Sequence, residues 1–289
     1  MKRSHAIGLG IAATVLIGVV AILTTRPALL GAGDDALLGE ARQGGFTVEL
    51  SEPVRDVRID GPAGRPIVLL DPGHGGRDPG APGVSGANVE KTLTLAFAQE
   101  LRARLLEGGR VRVALTRSDD VTLTLDQRAD IARRIGAALF LSIHMDSAPN
   151  PQARGASVYS LSDVASDAEA ARFAQAENAA GGRLSSEQDA GVRSLLADLA
   201  LRDQMRESAA LASRLVENAK GRVLLRPEPH KFAAFYVLRR SQVTGILFEA
   251  GYLSNPEDEA MLMTVDGRKP IVDALARSIE IEAAIVRAR

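Results

Sequence analysis

The chain has 289 residues and a mass of 30.5 kDa, which is long enough for one large domain or two small ones. Hydrophobic residues make up 46% and charged residues 25%, values typical of globular proteins that exclude a mostly disordered or fibrous chain. The 35 basic and 36 acidic side chains give a formal net charge of −1, so the chain lacks the basic excess by which proteins coat nucleic acids, and we expect no nucleic-acid partner.

The chain begins with an apolar segment. Residues 4–25 contain no Asp, Glu, Lys or Arg, and at about 1.5 Å per residue they are long enough to cross a hydrocarbon core of roughly 30 Å. Lys2 and Arg3 precede the segment and acidic residues follow it, which predicts that the N-terminus stays inside and the remainder lies outside. We interpret residues 1–26 as a membrane anchor or a long signal sequence, and we expect the rest of the chain to be exported.

Residues 27–64 are rich in glycine, proline and charge, which predicts a tether with one short strand at residues 46–50. From residue 65 to residue 289, short apolar runs alternate with helical patterns, as in α/β domains. The predicted strands cover residues 67–71, 111–116, 138–143, 156–161 and 244–249. The first predicted helix follows Asn88 as N-cap, and further helices cover about 124–135, 166–180, 190–219 and 267–287. The pattern predicts a mixed, largely parallel central sheet flanked by helices.

Residues 162–207 are longer than a connection between two strands requires, and they are rich in alanine, serine and acidic residues. We predict a helical insertion before the last strands. One interpretation is a solvated helical hairpin, and the other is a lid over the ends of the strands.

Side chains able to bind a metal follow the predicted strands. The chain has no cysteine, so any metal must be bound by His, Asp or Glu. His74 follows the first strand in DPGHGG, His144 ends ALFLSIH, Glu90 opens the first helix and Glu249 ends TGILFE. Carboxyl ends of strands meet at one edge of an α/β sheet, so these four side chains can converge there. Two imidazoles and a carboxylate suit zinc with one open position, and a further carboxylate can transfer protons.

Each of these residues also has a structural interpretation. A single histidine at the end of a strand is more often structural, but two of them in Gly- and Ser-rich turns favour a site. The helix N-terminus alone explains Glu90, whereas Glu249 after four apolar residues is a buried carboxylate that a catalytic role would explain. His230 is interpreted as a structural or substrate-contacting residue.

Five blocks of the sequence together resemble one family, the zinc-dependent N-acetylmuramoyl-L-alanine amidases of type 3, which act in bacterial cell separation. The blocks run in the family's order within residues 66–287, and they are IVLLDPGHGGRDPGAPG (67–83), Glu90 before a Leu-rich helix, VALTR (113–117), LFLSIHMDSAPN (139–150) and HKFAAFYVLRRSQVTGILFEAGYLSNPEDE (230–259). The resemblance implies that one zinc ion is bound by His74, Glu90 and His144, and that Glu249 is the catalytic base.

The resemblance further implies that the substrate is peptidoglycan, cleaved in the periplasm at the amide between N-acetylmuramic acid and L-alanine. In divisional members of the family, an inserted helix blocks the site until an activator protein displaces it. Residues 162–207 resemble that insertion. Our hypothesis is that Glu177 occupies the open zinc position, with Glu169 and Glu187 as rivals, and that residues 4–25 hold the enzyme at the inner membrane.

Two other functions stay open. A zinc peptidase or deacetylase would keep the metal and act on another bond of the cell wall. A membrane-tethered wall-binding scaffold would need neither the zinc ligands nor Glu249.

Overall fold

The computed structural model describes residues 56–180 and 195–288. The predicted membrane segment, the predicted strand at residues 46–50 and Glu187 lie outside the described residues, and the predicted domain boundaries stay predictions. Among the helices in the described ranges, none combines the length and the apolar character that crossing a membrane requires.

One sheet of seven strands organises the described part of the chain. The strands are β1 (Ile59–Asp60), β2 (Ile67–Pro72), β3 (Arg112–Leu115), β4 (Leu139–His144), β5 (Ala156–Leu161), β6 (Leu225–Ala233) and β7 (Gly245–Glu249). Their spatial order is β1-β3-β2-β4-β7-β5-β6. The neighbours among β3, β2, β4 and β7 are parallel, β5 and β6 are parallel to each other, and β1 on β3 and β5 on β7 are antiparallel.

Seven helices of the described ranges surround this sheet. They are α1 (Glu90–Gly108), α2 (Leu125–Arg134), α3 (Ala168–Ala180), α4 (Leu195–Ala219), α5 (Tyr236–Ser241), α6 (Pro256–Leu262) and α7 (Val265–Ala288). The predicted mixed, largely parallel sheet flanked by helices is confirmed. The predicted insertion is confirmed as well, since α3 and α4 lie between β5 and the last two strands, β6 and β7.

Apolar side chains cover both faces of the sheet, because successive residues of a strand point to opposite sides. On β2, Val68 and Leu70 belong to one buried cluster and Leu69 to the other. Helices α1, α4 and α7 contribute to the first cluster, and α2, α3 and α5 to the second. Coverage of both faces explains why these strands are continuous apolar runs in the sequence.

The predicted N-cap of α1 is wrong. The N-cap is Val89, which forms no side-chain capping hydrogen bond. Backbone carbonyls of the preceding loop take over the capping, because Glu90 N donates to Ala81 O at 2.9 Å and Lys91 N donates to Pro79 O at 3.1 Å. The loop and the start of the helix are therefore built as one unit.

Strand β6 was missed, because its sequence LRPEPHKFA contains two prolines and no alternating pattern. Proline is tolerated there because β6 is an edge strand, at the end of the sheet opposite β1.

Strands β2, β4 and β7 are parallel neighbours and end at the same edge of the sheet. Pro72 pairs with Ile143, and His144 pairs with Glu249. This register places His144 and Glu249 beside each other, and it brings the loop that carries His74 to the same edge of the sheet.

Candidate metal centre

A tight loop after β2 positions His74. Its backbone is in the left-handed region with φ 59°, which is uncommon for a residue other than glycine. Gly73 permits this approach to β4, since a Cβ atom there would lie 2.5 Å from Cε1 of His144. The chain can therefore bring the two imidazoles together only with glycine at position 73.

The His74 ring is oriented by Asp78. Nδ1 lies 2.9 Å from Asp78 Oδ2, which turns Nε2 toward Glu90 Oε2 at 3.1 Å. Nε2 is buried, yet it forms no well-directed hydrogen bond. His74 Nε2 and Glu90 Oε2 therefore lie where two ligands of one cation would lie.

Glu90 joins the loop to β4. Its Oε2 accepts a hydrogen bond from Ala81 N, and its Oε1 accepts one from Met145 N, both at 2.9 Å. Oε1 also lies 3.1 Å from His144 Nδ1. The carboxylate is 1% exposed, and a helix N-terminus alone does not explain such a buried and multiply bonded position.

The structure brings His74, Glu90 and His144 together, as the sequence predicts. One candidate ligand atom from each lies within 4.8 Å of the others. The two imidazole rings are 5.0 Å apart at their centroids and nearly perpendicular. This set of two nitrogens and one oxygen can hold a divalent cation and leaves room for a further ligand.

The electrostatics of the cluster favour a positive charge at its centre. Burial lowers the pKa of His74, but Glu90, Asp78 and Glu177 outweigh burial and raise it to about 11. Burial raises the pKa of Glu90, and the two histidines bring it well below its usual range. The buried carboxylates thus stabilise positive charge, which a bound metal cation would supply as well as protons do.

Helix α3 places a second carboxylate against this cluster. Glu177 Oε2 lies 3.4 Å from His144 Nδ1, and Oε1 lies 3.9 Å from His74 Nε2. Of its two rivals, Glu169 instead pairs with Arg226, and Glu187 lies outside the described residues. Glu177 is the acid of the described insertion that reaches the candidate ligands.

Glu249 lies beside the cluster at the end of β7. Its Oε2 accepts a hydrogen bond from Asp146 N at 3.0 Å, whereas Oε1 is buried without a hydrogen-bond partner. The side chain helps to line a cavity of about 250 Å³ together with Tyr159, Phe173 and other residues. Burial first, and then Asp146 and Glu90, raise the pKa of Glu249 well above its usual range. The group is therefore suited to accept a proton.

Two buried arginines that sequence analysis missed hold the histidine loop. Arg128 Nη1 donates to Asp71 Oδ1 at 2.6 Å and to Pro72 O at 2.8 Å, and Nη2 donates to His74 O at 2.7 Å. Arg117 Nη2 donates to Gly73 O at 2.8 Å. Arg117 lies in the VALTR block, but in the sequence Arg128 has no feature that separates it from a solvated helix residue.

Asp78 was also missed. Its spacing of four residues from His74 within DPGHGGRDPG is the signal that could have identified it, since histidine ligands commonly bind a carboxylate through the second ring nitrogen.

His230 lies on β6, apart from these residues. Its Nε2 is 2.9 Å from Ser160 Oγ and its Nδ1 is 3.2 Å from Ser213 Oγ. These bonds connect β6 to β5 and α4, which agrees with the structural interpretation.

Comparisons with known proteins identify the family to which the chain is similar. A family model described as N-acetylmuramoyl-L-alanine amidase matches residues 68–281. The amidase AmiA of Escherichia coli (strain K12) is 38% identical over 220 residues, which are 75% of this chain and 75% of that protein. The solved structure of amidase AmiC2 of Nostoc punctiforme has a TM-score of 0.56 and 28% identity, covering 75% of this chain and 97% of that chain.

The CwlD amidase of Clostridioides difficile, solved in complex with the GerS lipoprotein, has a TM-score of 0.58. It covers 76% of this chain and 99% of that chain at 22% identity, which is a likeness in fold.

Proposed function

Because the chain belongs to the N-acetylmuramoyl-L-alanine amidase family, its activity is the amide hydrolysis of peptidoglycan, and we propose that it performs this reaction with one zinc ion and a glutamate base. The bond cleaved joins N-acetylmuramic acid to the L-alanine of the stem peptide. The observation that carries the proposal is the buried cluster of His74, Glu90 and His144, in which Nε2 of His74 has no well-directed partner.

His74, Glu90 and His144 would hold the zinc ion. Their donor set is that of catalytic zinc sites, and the carboxylate of Asp78 behind His74 is the usual support for such a ligand. When bound, zinc polarises a carbonyl group and lowers the pKa of water.

Glu249 would move the protons. Its Oε1 is free to accept a proton from the attacking water, while Asp146 N holds Oε2 in place. The same carboxyl group can then donate that proton to the amine of L-alanine as the amide breaks. Burial keeps the group out of bulk water, which supports its use as a proton carrier rather than a solvated surface charge.

Helix α3 would inhibit the enzyme. Glu177 reaches toward both candidate histidine ligands, and Phe173 and Ala176 of the same helix line the cavity beside Glu249. A substrate cannot occupy that space while the helix does. We infer that α3 must be displaced before peptidoglycan binds.

The partner that displaces α3 would be an activator protein. In the cell, the enzyme would act in the periplasm in cell separation, held at the inner membrane if residues 4–25 are retained as an anchor. The complex of the CwlD amidase with a lipoprotein belongs to that protein, and the proposal for this chain rests on the position of α3.

The test is mass spectrometry of the products released from purified peptidoglycan by three chains: the unaltered chain, Glu177→Ala and Glu177→Ala with Glu249→Gln. We expect Glu177→Ala to release stem peptides from intact glycan strands faster than the unaltered chain, and a chelator to abolish the release. The chain that also carries Glu249→Gln should bind zinc at one ion per chain and release nothing measurable.

Three results would contradict parts of the proposal. Cuts within the peptide would support a zinc peptidase instead, and zinc-free preparations with no products would favour the scaffold. Equal rates for the unaltered chain and Glu177→Ala would remove Glu177 from its inhibitory role. Gln175→Ala, at an exposed position of the same helix, serves as the matched control.

A further inference from the structure

We propose that Arg226 is the receptor for a carboxylate of the substrate's peptide, and that Glu169 of helix α3 occupies this receptor as a substitute in the closed enzyme. The inference rests on the proposed amidase function and adds a contact that would select acidic peptides.

The contact between Glu169 and Arg226 has the geometry of carboxylate recognition. Arg226 Nη1 lies 2.9 Å from Glu169 Oε1, and Nη2 lies 3.2 Å from Oε2, so both oxygens are bound by one guanidinium group. The Arg226 side chain is 16% exposed. A second cation, Lys231 Nζ, lies 3.9 Å from Glu169 Oε2. Two parallel hydrogen bonds to a planar fork bind carboxylates more specifically than a point charge does.

The carboxylate that Arg226 binds lies in the wall of the cavity that Glu249 lines, and Arg226 stands behind that wall. Glu169 and Tyr252 contribute to the same wall, and the Arg226 guanidinium carbon is 4.9 Å from the centroid of the Tyr252 ring. The cavity of about 250 Å³ therefore connects the proposed base to the bound carboxylate. A peptide whose L-alanine nitrogen faces Glu249 would extend along this wall, and its free carboxylates follow L-alanine.

Displacement of α3 would expose Arg226 more than Lys231. Lys231 Nζ binds Asp167 Oδ2 at 2.6 Å, and Asp167 is held at the root of the helix because neighbouring Ser166 donates its backbone N–H to Phe232 O on β6. Glu169 instead belongs to the first turn of α3 and would leave with it. Among the described residues, Glu169 supplies the carboxylate that pairs with Arg226, so removal of α3 leaves the guanidinium against the Tyr252 ring and open to a carboxylate of the substrate.

A simpler explanation is that the ion pair is only a latch for α3. A latch and a receptor predict different results for the two halves of the pair. Glu169→Gln and Arg226→Gln both break the same ion pair. If the pair only holds α3 in place, both substitutions should have the same effect on peptide binding. A receptor is left intact by Glu169→Gln and is destroyed by Arg226→Gln.

The experiment compares these substitutions in zinc-loaded full-length chains that also carry Glu177→Ala, so that α3 is loosened in every sample. The probe is a peptide that begins with L-alanine and carries free carboxylates, and its control is the same peptide with amides in place of the carboxylates. Calorimetry gives both dissociation constants. We expect Glu169→Gln to prefer the acidic peptide by roughly tenfold or more, and Arg226→Gln to lose that preference.

Arg226→Lys provides a second variant if Arg226→Gln does not fold. It keeps the charge and loses the fork, so its preference should fall between those of the other two chains. The receptor hypothesis would be overturned if the Glu169→Gln chain showed no preference for the acidic peptide, or if the Arg226 variants showed the same preference as Glu169→Gln. If the chain hydrolyses peptidoglycan but shows no preference for the acidic peptide, only this inference is overturned. If it shows the preference but no hydrolysis, the receptor stands and the proposed amidase mechanism is overturned.

Discussion

Two regions bring side chains to the same pair of histidines, but they are held in different ways. The loop at residues 72–81 is held by buried side chains, because Arg117 and Arg128 donate hydrogen bonds to its backbone carbonyls. Helix α3 lies on top, and its buried apolar residues are two alanines and Phe173. The rest of its attachment consists of the pairing of Glu169 with Arg226 near its start, the contacts of Glu177 with the two histidines, and the hydrogen bonds of Asn178 near its end.

These two kinds of attachment differ in how easily they are broken. Buried hydrogen-bonded charges cannot leave their partners without a large penalty, so the loop and its candidate ligand His74 should stay in place throughout the reaction. A helix held by one large apolar side chain and by pairs at its edges can detach while the domain stays folded. We therefore regard the candidate metal site as preformed and α3 as the removable part.

The largest effect expected is on the loop. Arg128→Met leaves the Asp71 carboxylate buried without its cation, which should lower the free energy of unfolding by about 3–5 kcal/mol. Urea denaturation measures the loss. Arg134→Met, on the same helix and 43% exposed, should change stability by less than about 0.5 kcal/mol, and a similar loss for both variants would refute the special role of Arg128.

A smaller effect on stability and a gain in activity are expected from α3. Phe173 packs against Tyr159 and Phe235 at centroid distances of 5.1 and 5.4 Å, and Phe173→Ala removes this contact. The substitution should lower the free energy of docking of α3 by roughly 3 kcal/mol. The basal rate of peptide release should therefore rise roughly tenfold or more, while the denaturation midpoint changes little. A large fall in the midpoint without a gain in rate would show that α3 is part of the fixed core. Gln175→Ala is the control.

The smallest effect expected is on the orientation of one ligand. Asp78→Asn keeps an acceptor for His74 Nδ1 but removes the negative charge, which should weaken zinc binding by roughly 10- to 100-fold. Competition with a chelator measures the affinity. Asp266→Asn, at an exposed position at the start of α7, should leave it unchanged, and an unchanged affinity in Asp78→Asn would exclude Asp78 from the support of the metal site.

The sequence was sufficient to predict the strands that end at the site. Runs such as LFLSIH are apolar on both faces, and a parallel sheet is the structure that buries both, so the positions of His144 and Glu249 followed from local pattern. The convergence of His74 and Glu90 followed in the same way from the loop and helix after β2.

Long-range contacts could not be predicted from pattern. Arg128 is buried because the histidine loop folds over α2. The same loop supplies Ala81 O, which caps α1 in place of the predicted side-chain cap. Strand β6 is specified by its position at the edge of the sheet rather than by its own residues, two of which are prolines. The partners of Glu169 and Glu177 likewise depend on how α3 docks.

If α3 is the removable part of the site, it detaches locally while the rest of the domain stays folded. Amide hydrogen exchange of the unaltered zinc-loaded chain, followed by mass spectrometry, measures this local opening. We predict that residues 168–180 exchange much faster than the strands at 67–72 and 139–144, under conditions in which those strands exchange only by global unfolding. Exchange of residues 168–180 as slow as that of the strands would contradict the claim, because α3 would then open only when the whole domain unfolds.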